Sequence, residues 1–250
     1  MPLEAPLAPV AERVSELNTR YRSHAATSVL EHALSDPQVG EIALVSSFGA
    51  ESVVLLHMIS IMDRTTPVLF IDTEMLFEET LQYQAELADT LGLADVRVIR
   101  PDREAIFAED TDGLLHQRDP DACCALRKTR PLQQALRGFD AWITGRKRFQ
   151  GAARETLDFF EDEVGERIKV NPLAHWAKAD LQDYIDNNKL PRHPLVRQGY
   201  PSIGCRPCTT RVAPGEDERS GRWRGRDKEE CGIHFVDGKL VRGPLVKGAA

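Results

Sequence analysis

The sequence has no basic excess, no long apolar run, few cysteines and nothing that reads as a leader. Its 32 Lys and Arg are outnumbered by 39 Asp and Glu, a formal net charge of −7. An acidic chain is a poor general ligand for nucleic acid, so an anionic ligand must be met by a local basic pocket. No window approaches the roughly 18 uninterrupted apolar residues of a membrane span. Met1-Pro2-Leu3-Glu4-Ala5-Pro6 lacks the basic-then-apolar order of a signal peptide. The expectation is a cytoplasmic protein with no nucleic-acid partner and no membrane partner; a homo-oligomer is left open. Five cysteines, an odd number in a reducing compartment, argue against disulfide staples. Internal repeats are missing as well.

At 250 residues, with 42% hydrophobic and 28% charged residues, the chain can bury one sizeable core. Val14, Leu17 and Tyr21, then Val29, Leu30 and Ala33, fall at helical spacing and predict one or two amphipathic helices over residues 1–36. Short apolar runs then alternate with longer helical stretches. Ile42 to Val45 precedes a helix from Glu51 to Met62, and Pro67 to Ile71 precedes one from about Leu76 to Leu91. Further runs at Val96 to Ile99 and Trp142 to Thr144 complete the pattern. Such alternation predicts an α/β fold, a parallel twisted sheet with helices on both faces, over residues 37–214. Ligands bind such sheets at the carboxyl ends of strands, where Ser46, Asp72 and Gly145 fall. Residues 215–250 open with GEDERSGRWRGRDKEE, dense in charge and glycine. That composition predicts a flexible C-terminal tail.

The turn SSFGAES places two hydroxyls and a glycine between a strand and a helix. Glycine allows close backbone approach, and free helix N–H groups favour an anion such as phosphate. Simple N-capping is the alternative. No Gly-Lys-Ser/Thr follows, so this is not a Walker sequence.

Cys123 and Cys124 are adjacent, and Cys205 and Cys208 bracket Arg206-Pro207 about eighty residues later. A redox pair at CRPC would leave the double cysteine unexplained. Structural zinc prefers two C-x2-4-C knuckles, which vicinal cysteines fit badly. An iron–sulfur cluster, with its larger core, accepts ligands on neighbouring residues. A doubly positive cubane core with four thiolates is doubly negative, which suits Arg127 and Lys128 beside it. Cys231 stands without a partner after Arg219, Arg222, Arg224 and Arg226. It reads as either an inert surface thiol or a nucleophile delivered by the tail. A free cysteine is only about 3% thiolate at neutral pH. Glu229 and Glu230 disfavour its ionisation further, so activation needs docking beside cations.

Six motifs occur in order: SSFGAES, LFIDTEMLFEET, CCALRKTRPL, TGRKRFQGAAR, HPLVRQGYPSIGCRPCT and ECGIH. Together, from Ile42 to His234, they resemble the assimilatory sulfonucleotide reductases, and the four-cysteine form resembles the bacterial adenylyl-sulfate (APS) reductases. The resemblance implies an adenine-nucleotide alpha-hydrolase-like fold with a 4Fe–4S cluster on Cys123, Cys124, Cys205 and Cys208. It implies reduction of APS to sulfite and AMP in sulfate assimilation and cysteine biosynthesis. Thioredoxin, or glutaredoxin, would be the thiol donor, since the chain has no glutaredoxin-like domain after Cys231.

Carried over by position, Cys231 matches the nucleophile that forms S-sulfocysteine as AMP leaves. A donor thiol would then release sulfite as in thiol–disulfide exchange. Lys128 resembles the cluster-adjacent lysine near the sulfate. Lys147, Arg148, Gln150 and Arg154 match the basic phosphosulfate loop, and Arg219 and Arg222 match tail arginines closing over it, with His234 orienting the tail. Ser46, Ser47 and Gly49 would line the nucleotide site, with Asp72 and Thr73 at the second strand end. The cluster is expected to be structural and electrostatic, because a single-thiol mechanism needs no electron from it. Two departures stand out: Ser52 where an acid is frequent, and Phe149 with Ala152-Ala153 where polar residues and proline are common. PAPS, alone or beside APS, is the alternative substrate, though members restricted to PAPS usually lack both cysteine pairs. A tRNA-thiolating enzyme would show SGG-x-DS, and a non-catalytic iron–sulfur sensor would not need Cys231.

Overall fold

A computed structural model describes residues 7–151, 154–163, 165–226, 228, 235–236 and 239–240. Cys231 and His234 lie outside the described residues. Two N-terminal helices, α1 (Val10–Tyr21) and α2 (Ala26–Ala33), lead into the expected alternation. It runs β1 (Ile42–Ser46), α3 (Val53–Met62), β2 (Val68–Ile71), α4 (Glu78–Leu91) and β3 (Val96–Ile99). Short helices α5 (Arg103–Glu109), α6 (Leu115–Arg118) and α7 (Pro120–Cys124) follow, then a π-helical turn, Ala125–Thr129, and α8 (Arg130–Ala135). After β4 (Ala141–Ile143) come β5 (Phe160–Glu163), β6 (Arg167–Val170) and α9 (Lys178–Asn187).

The sheet order is β3-β2-β1-β4-β6-β5, with β5 alone antiparallel. Alternation along the strands separates two cores. Leu44, Phe70 and Ile143 face one side with α3, while Ala43, Leu69 and Trp142 face the other with Leu132 and Leu136 of the α8 segment. Both faces are therefore covered, as parallel strands require. α3 is buried nearly all round because α4 and α9 pack on it. No helix among the described residues is long and apolar enough to cross a membrane.

The β5–β6 hairpin is the departure from an all-parallel expectation. Its strands read FEDE and RIKV with opposite charges in register, Glu161 across from Lys169 and Glu163 across from Arg167; Glu163 pairs with both Arg167 and Lys169, while Glu161 pairs with Arg146. Lys169 is buried over the Trp142 ring and forms an ion pair with Glu163 Oε1 at 3.2 Å; burial lowers its pKa to about 8 despite that carboxylate. Asn18 of α1 covers the open edge: its Nδ2 donates to Phe160 O at 2.8 Å and its Oδ1 accepts from Phe160 N at 3.0 Å. A side-chain amide thus completes the ladder that an edge strand would otherwise leave open.

Candidate active site

The chain runs outward from β1 to β2 and β3, then returns to the opposite side of β1 to form β4. The carboxyl ends of β1 and β4 therefore flank a topological switch point, the crevice where open α/β sheets bind ligands. A cleft of about 960 Å³ opens there, bounded by the β1 turn, the loop after β4 and the segment 201–223. The β1 turn is held by its own side chains. Ser46 Oγ accepts from Phe48 N at 3.2 Å, and Ser52 Oγ accepts from Gly49 N at 3.0 Å. These two amides are thereby already bonded, which narrows the anion-binding role read from the sequence. A Cβ on Gly49 would stand 3.3 Å from Ser47 Oγ, so the turn is packed closely on its own hydroxyl.

The loop after β4 supplies the cations. Lys147 is only 3% exposed, and its Nζ pairs with Glu51. Gln150 Nε2 donates to the same carboxylate at 3.0 Å, and Arg154 Nη1 donates to Gln150 Oε1 at 2.6 Å. Burial lowers the Lys147 pKa; Glu51 opposes this, while Arg154 and Arg219 push it further down. Lys147, Arg154 and Arg219 thus act on one another in one pocket, with Glu51 the carboxylate paired to Lys147, an arrangement suited to a multiply charged anion.

Cys205 lines the cleft, and the other three cysteines gather behind it. Asp119 caps α7 by accepting from Asp121 N at 3.0 Å and Ala122 N at 2.9 Å, with Pro120 at the first helical position. This fixes the turn that bears Cys123 and Cys124. Pro131 lacks the N–H that would continue an α-ladder, and the π turn just before it carries Arg127 and Lys128. Arg127 is buried; its Nε and Nη2 donate to Asp110 at 3.0 and 2.7 Å, and its Nη1 donates to Thr73 O at 3.2 Å. Thr73 Oγ1 lies 3.2 Å from Cys205 Sγ.

The four thiols form one electrostatic neighbourhood and no disulfide. Burial first, then Cys124 and Cys205, push Cys123 up to about 12 against the pull of Arg127. Cys208 is raised by burial and Cys205, opposed by Arg226, Arg222 and Lys128. Among the described residues, no three His, Cys, Asp or Glu side chains are placed to hold a metal ion. The donor set itself, four thiols ringed by Arg127, Lys128 and Arg222, fits an anionic multi-iron centre better than a lone dication.

Residues 41–211 match the phosphoadenosine phosphosulfate reductase domain. The chain belongs to that reductase family. It is 50% identical over 226 residues to an adenosine 5′-phosphosulfate reductase of Mesorhizobium japonicum, covering 90% of this chain and 89% of that one. An adenosine 5′-phosphosulfate reductase of Chelativorans sp. is 49% identical over 221 residues, 88% of this chain and 90% of the relative. The crystal structure of the PAPS reductase from Candida auris, a phosphate complex, aligns with a TM-score of 0.69 at 26% identity. That alignment covers 82% of this chain and 100% of that one.

On this reductase fold most of the expected substrate residues converge. Ser46, Ser47, Gly49 and Thr73 line the cleft on the sheet side, and Lys128, Lys147, Gln150 and Arg154 line its basic side. Arg219 and Arg222 close a third wall. Two expected residues turn away. Asp72 accepts from Arg100 Nε at 3.0 Å and Glu74 N at 2.9 Å, and Arg148 Nε donates to Leu157 O at 2.8 Å. Both follow from backbone alternation: Lys147 is extended, so its neighbour Arg148 faces the other way, as Asp72 does beside Thr73.

The third wall is built by residues 215–226, the described stretch that opens the C-terminal segment. Trp223 is 4% exposed, and its N donates to Cys208 O at 3.0 Å. Thr210 N donates to Gly221 O at 2.8 Å beside a Thr209–Arg222 bridge. A Cβ on Gly221 would lie 2.3 Å from Thr210 O, so only glycine allows this approach. The Arg222 guanidinium lies 4.4 Å from the Trp223 ring centroid, and its buried Nε has no hydrogen-bond partner among the described residues. Glu51 was missed in the sequence, where it reads as a helix start; an acid facing a basic loop was the available signal.

Proposed function

We propose that the chain reduces adenosine 5′-phosphosulfate to sulfite and AMP. The observation that carries this reading is the gathering of Lys147, Arg154 and Arg219 at the β1–β4 switch point, beside Lys128 and the four thiols. The names of the relatives at 49–50% identity support APS as substrate. Nucleotide enters at the β1 turn, and the phosphosulfate lies over the cations, Lys128 nearest the sulfate. Arg222, with its unpartnered Nε, holds a further oxygen.

Cys231 is the proposed nucleophile. Its thiolate attacks sulfur, the bridging S–O bond breaks, and the electron pair leaves on AMP, whose charge the basic loop neutralises. A thioredoxin or glutaredoxin thiolate then attacks Cys231 Sγ; a mixed disulfide forms and sulfite leaves with the S–S bonding pair. A second donor thiol restores Cys231. His234 is proposed to orient the closed tail. Cys123, Cys124, Cys205 and Cys208 are proposed to hold a 4Fe–4S cluster. When bound, it supplies a fixed charge centre that anchors two distant segments and Lys128. The reading places the enzyme in cytoplasmic sulfate assimilation toward cysteine.

The test is turnover of anaerobically purified, iron-loaded protein with thioredoxin, counting sulfite and AMP from APS and from PAPS separately. Equal sulfite and AMP from APS, lost in Cys231→Ser, is expected. No sulfite from either substrate overturns the reading, and sulfite from PAPS alone reassigns the substrate.

A further inference from the structure

The chain ahead of Cys231 is fastened in three places. Trp223 is bonded through its N–H to Cys208 O at 3.0 Å. Arg226 Nη1 donates to the His116 carbonyl. Lys228 Nζ forms an ion pair with Asp121 and lies 5.7 Å from the Trp223 ring centroid. The Lys228 side chain is only 7% exposed, an unusual burial for lysine. Asp121 lies in the first turn of α7, which Asp119 caps, two residues before Cys123. Trp223 and Lys228 therefore link the Cys205–Cys208 loop to the helix that bears Cys123 and Cys124.

We infer that the Lys228–Asp121 pair is a positioning latch that fixes, at the cleft lining, the point from which the chain continues toward Cys231. The inference rests on the reading of Cys231 as nucleophile. Cys231 stands three positions beyond Lys228 in the sequence, a reach of about 10 Å, and five beyond Arg226, about 17 Å. Releasing Lys228 therefore enlarges the volume open to the thiol about fivefold and dilutes it at the cleft by the same factor. Neither residue touches the substrate in this account. The latch also ties the tail to the cysteine-bearing helix, so the two fit together only when α7 is in place.

The experiment compares the iron-loaded wild type with Lys228→Ala, Lys228→Arg, Asp121→Lys and the swap Lys228→Asp/Asp121→Lys. Single-turnover formation of the Cys231 adduct from APS, AMP affinity, iron content and amide hydrogen exchange over residues 222–230 are measured. The latch predicts about fivefold slower adduct formation and faster exchange in Lys228→Ala and Asp121→Lys, with AMP affinity unchanged. Lys228→Arg and the swap recover most of both effects. Unchanged exchange and adduct rate in Lys228→Ala overturn the latch, as does an equal loss in the swap. If the wild type forms no adduct while exchange still responds and the swap restores it, the latch stands and the nucleophile reading falls.

Discussion

Lys147 and Glu51, 96 residues apart in sequence, form an ion pair inside the cleft, with Lys147 3% exposed. Burial and the cations Arg154 and Arg219 all favour the neutral amine, and Glu51 is the group that opposes them. Glu51→Gln removes that opposition, so the Lys147 pKa falls further. Because the ammonium binds the anion, affinity is lost as pH rises through this pKa. The alkaline limb of APS or AMP binding therefore moves to lower pH in Glu51→Gln, as calorimetry across pH reads directly. An unmoved limb contradicts the role given to Glu51.

Lys147→Ala deletes a buried cation from the anion site. Hydrogen bonds to charged groups contribute about 1.5–3 kcal/mol each. A loss of roughly ten- to hundredfold in kcat/KM for APS is expected, with Arg148→Ala nearly silent because its guanidinium bonds Leu157 O outside the cleft. Steady-state kinetics of the two variants side by side makes the comparison.

Gly221→Ala places a methyl 2.3 Å from Thr210 O and pushes the third wall outward. The expected cost to stability is about 1–3 kcal/mol. Activity falls by more than that cost explains, because Arg219 and Arg222 retreat from the cleft together. Thermal melts and kcat/KM on one preparation separate the two effects.

The buried Arg127–Asp110 pair reaches Cys205 through Thr73. Asp110→Asn leaves an uncompensated buried guanidinium, which costs on the order of 3–5 kcal/mol. Iron per chain falls along with the melting temperature. Full iron content in Asp110→Asn contradicts the link between this pair and the cysteine loop.

His193 is fully buried, bonded to Thr80 Oγ1 at 3.1 Å and accepting from Leu195 N at 3.2 Å. Burial lowers its pKa from 6.5 to about 4. The unfolded state therefore binds the proton first as pH falls, so stability contributed by the neutral ring is intact above about 6.5 and is lost toward 4. The full effect is on the order of 3 kcal/mol. Denaturant titrations from pH 7 to 4 show this slope in the wild type and a flatter one in His193→Gln.

The first four strands were legible because parallel strands buried on both faces are plain apolar runs. The β5–β6 hairpin was not, because FEDE and RIKV satisfy their charges across the strands and against Trp142 Nε1, which donates to Glu163 at 2.9 Å. The cleft was legible as motifs at strand ends, but the side chains that face it were not. Lys147 against Arg148 and Thr73 against Asp72 are decided by backbone alternation that a motif does not display. The packing of Trp223 was hidden in a charge-rich run, since one aromatic and a close glycine approach outweighed the composition around them.

The most direct measurement is the intact mass of anaerobically prepared protein after exposure to APS or PAPS with thioredoxin omitted. The account predicts a gain of roughly 80 Da, one SO₃ group, on Cys231 with APS and none in Cys231→Ser. Iron-loaded protein that turns over APS with no adduct on Cys231 would contradict it.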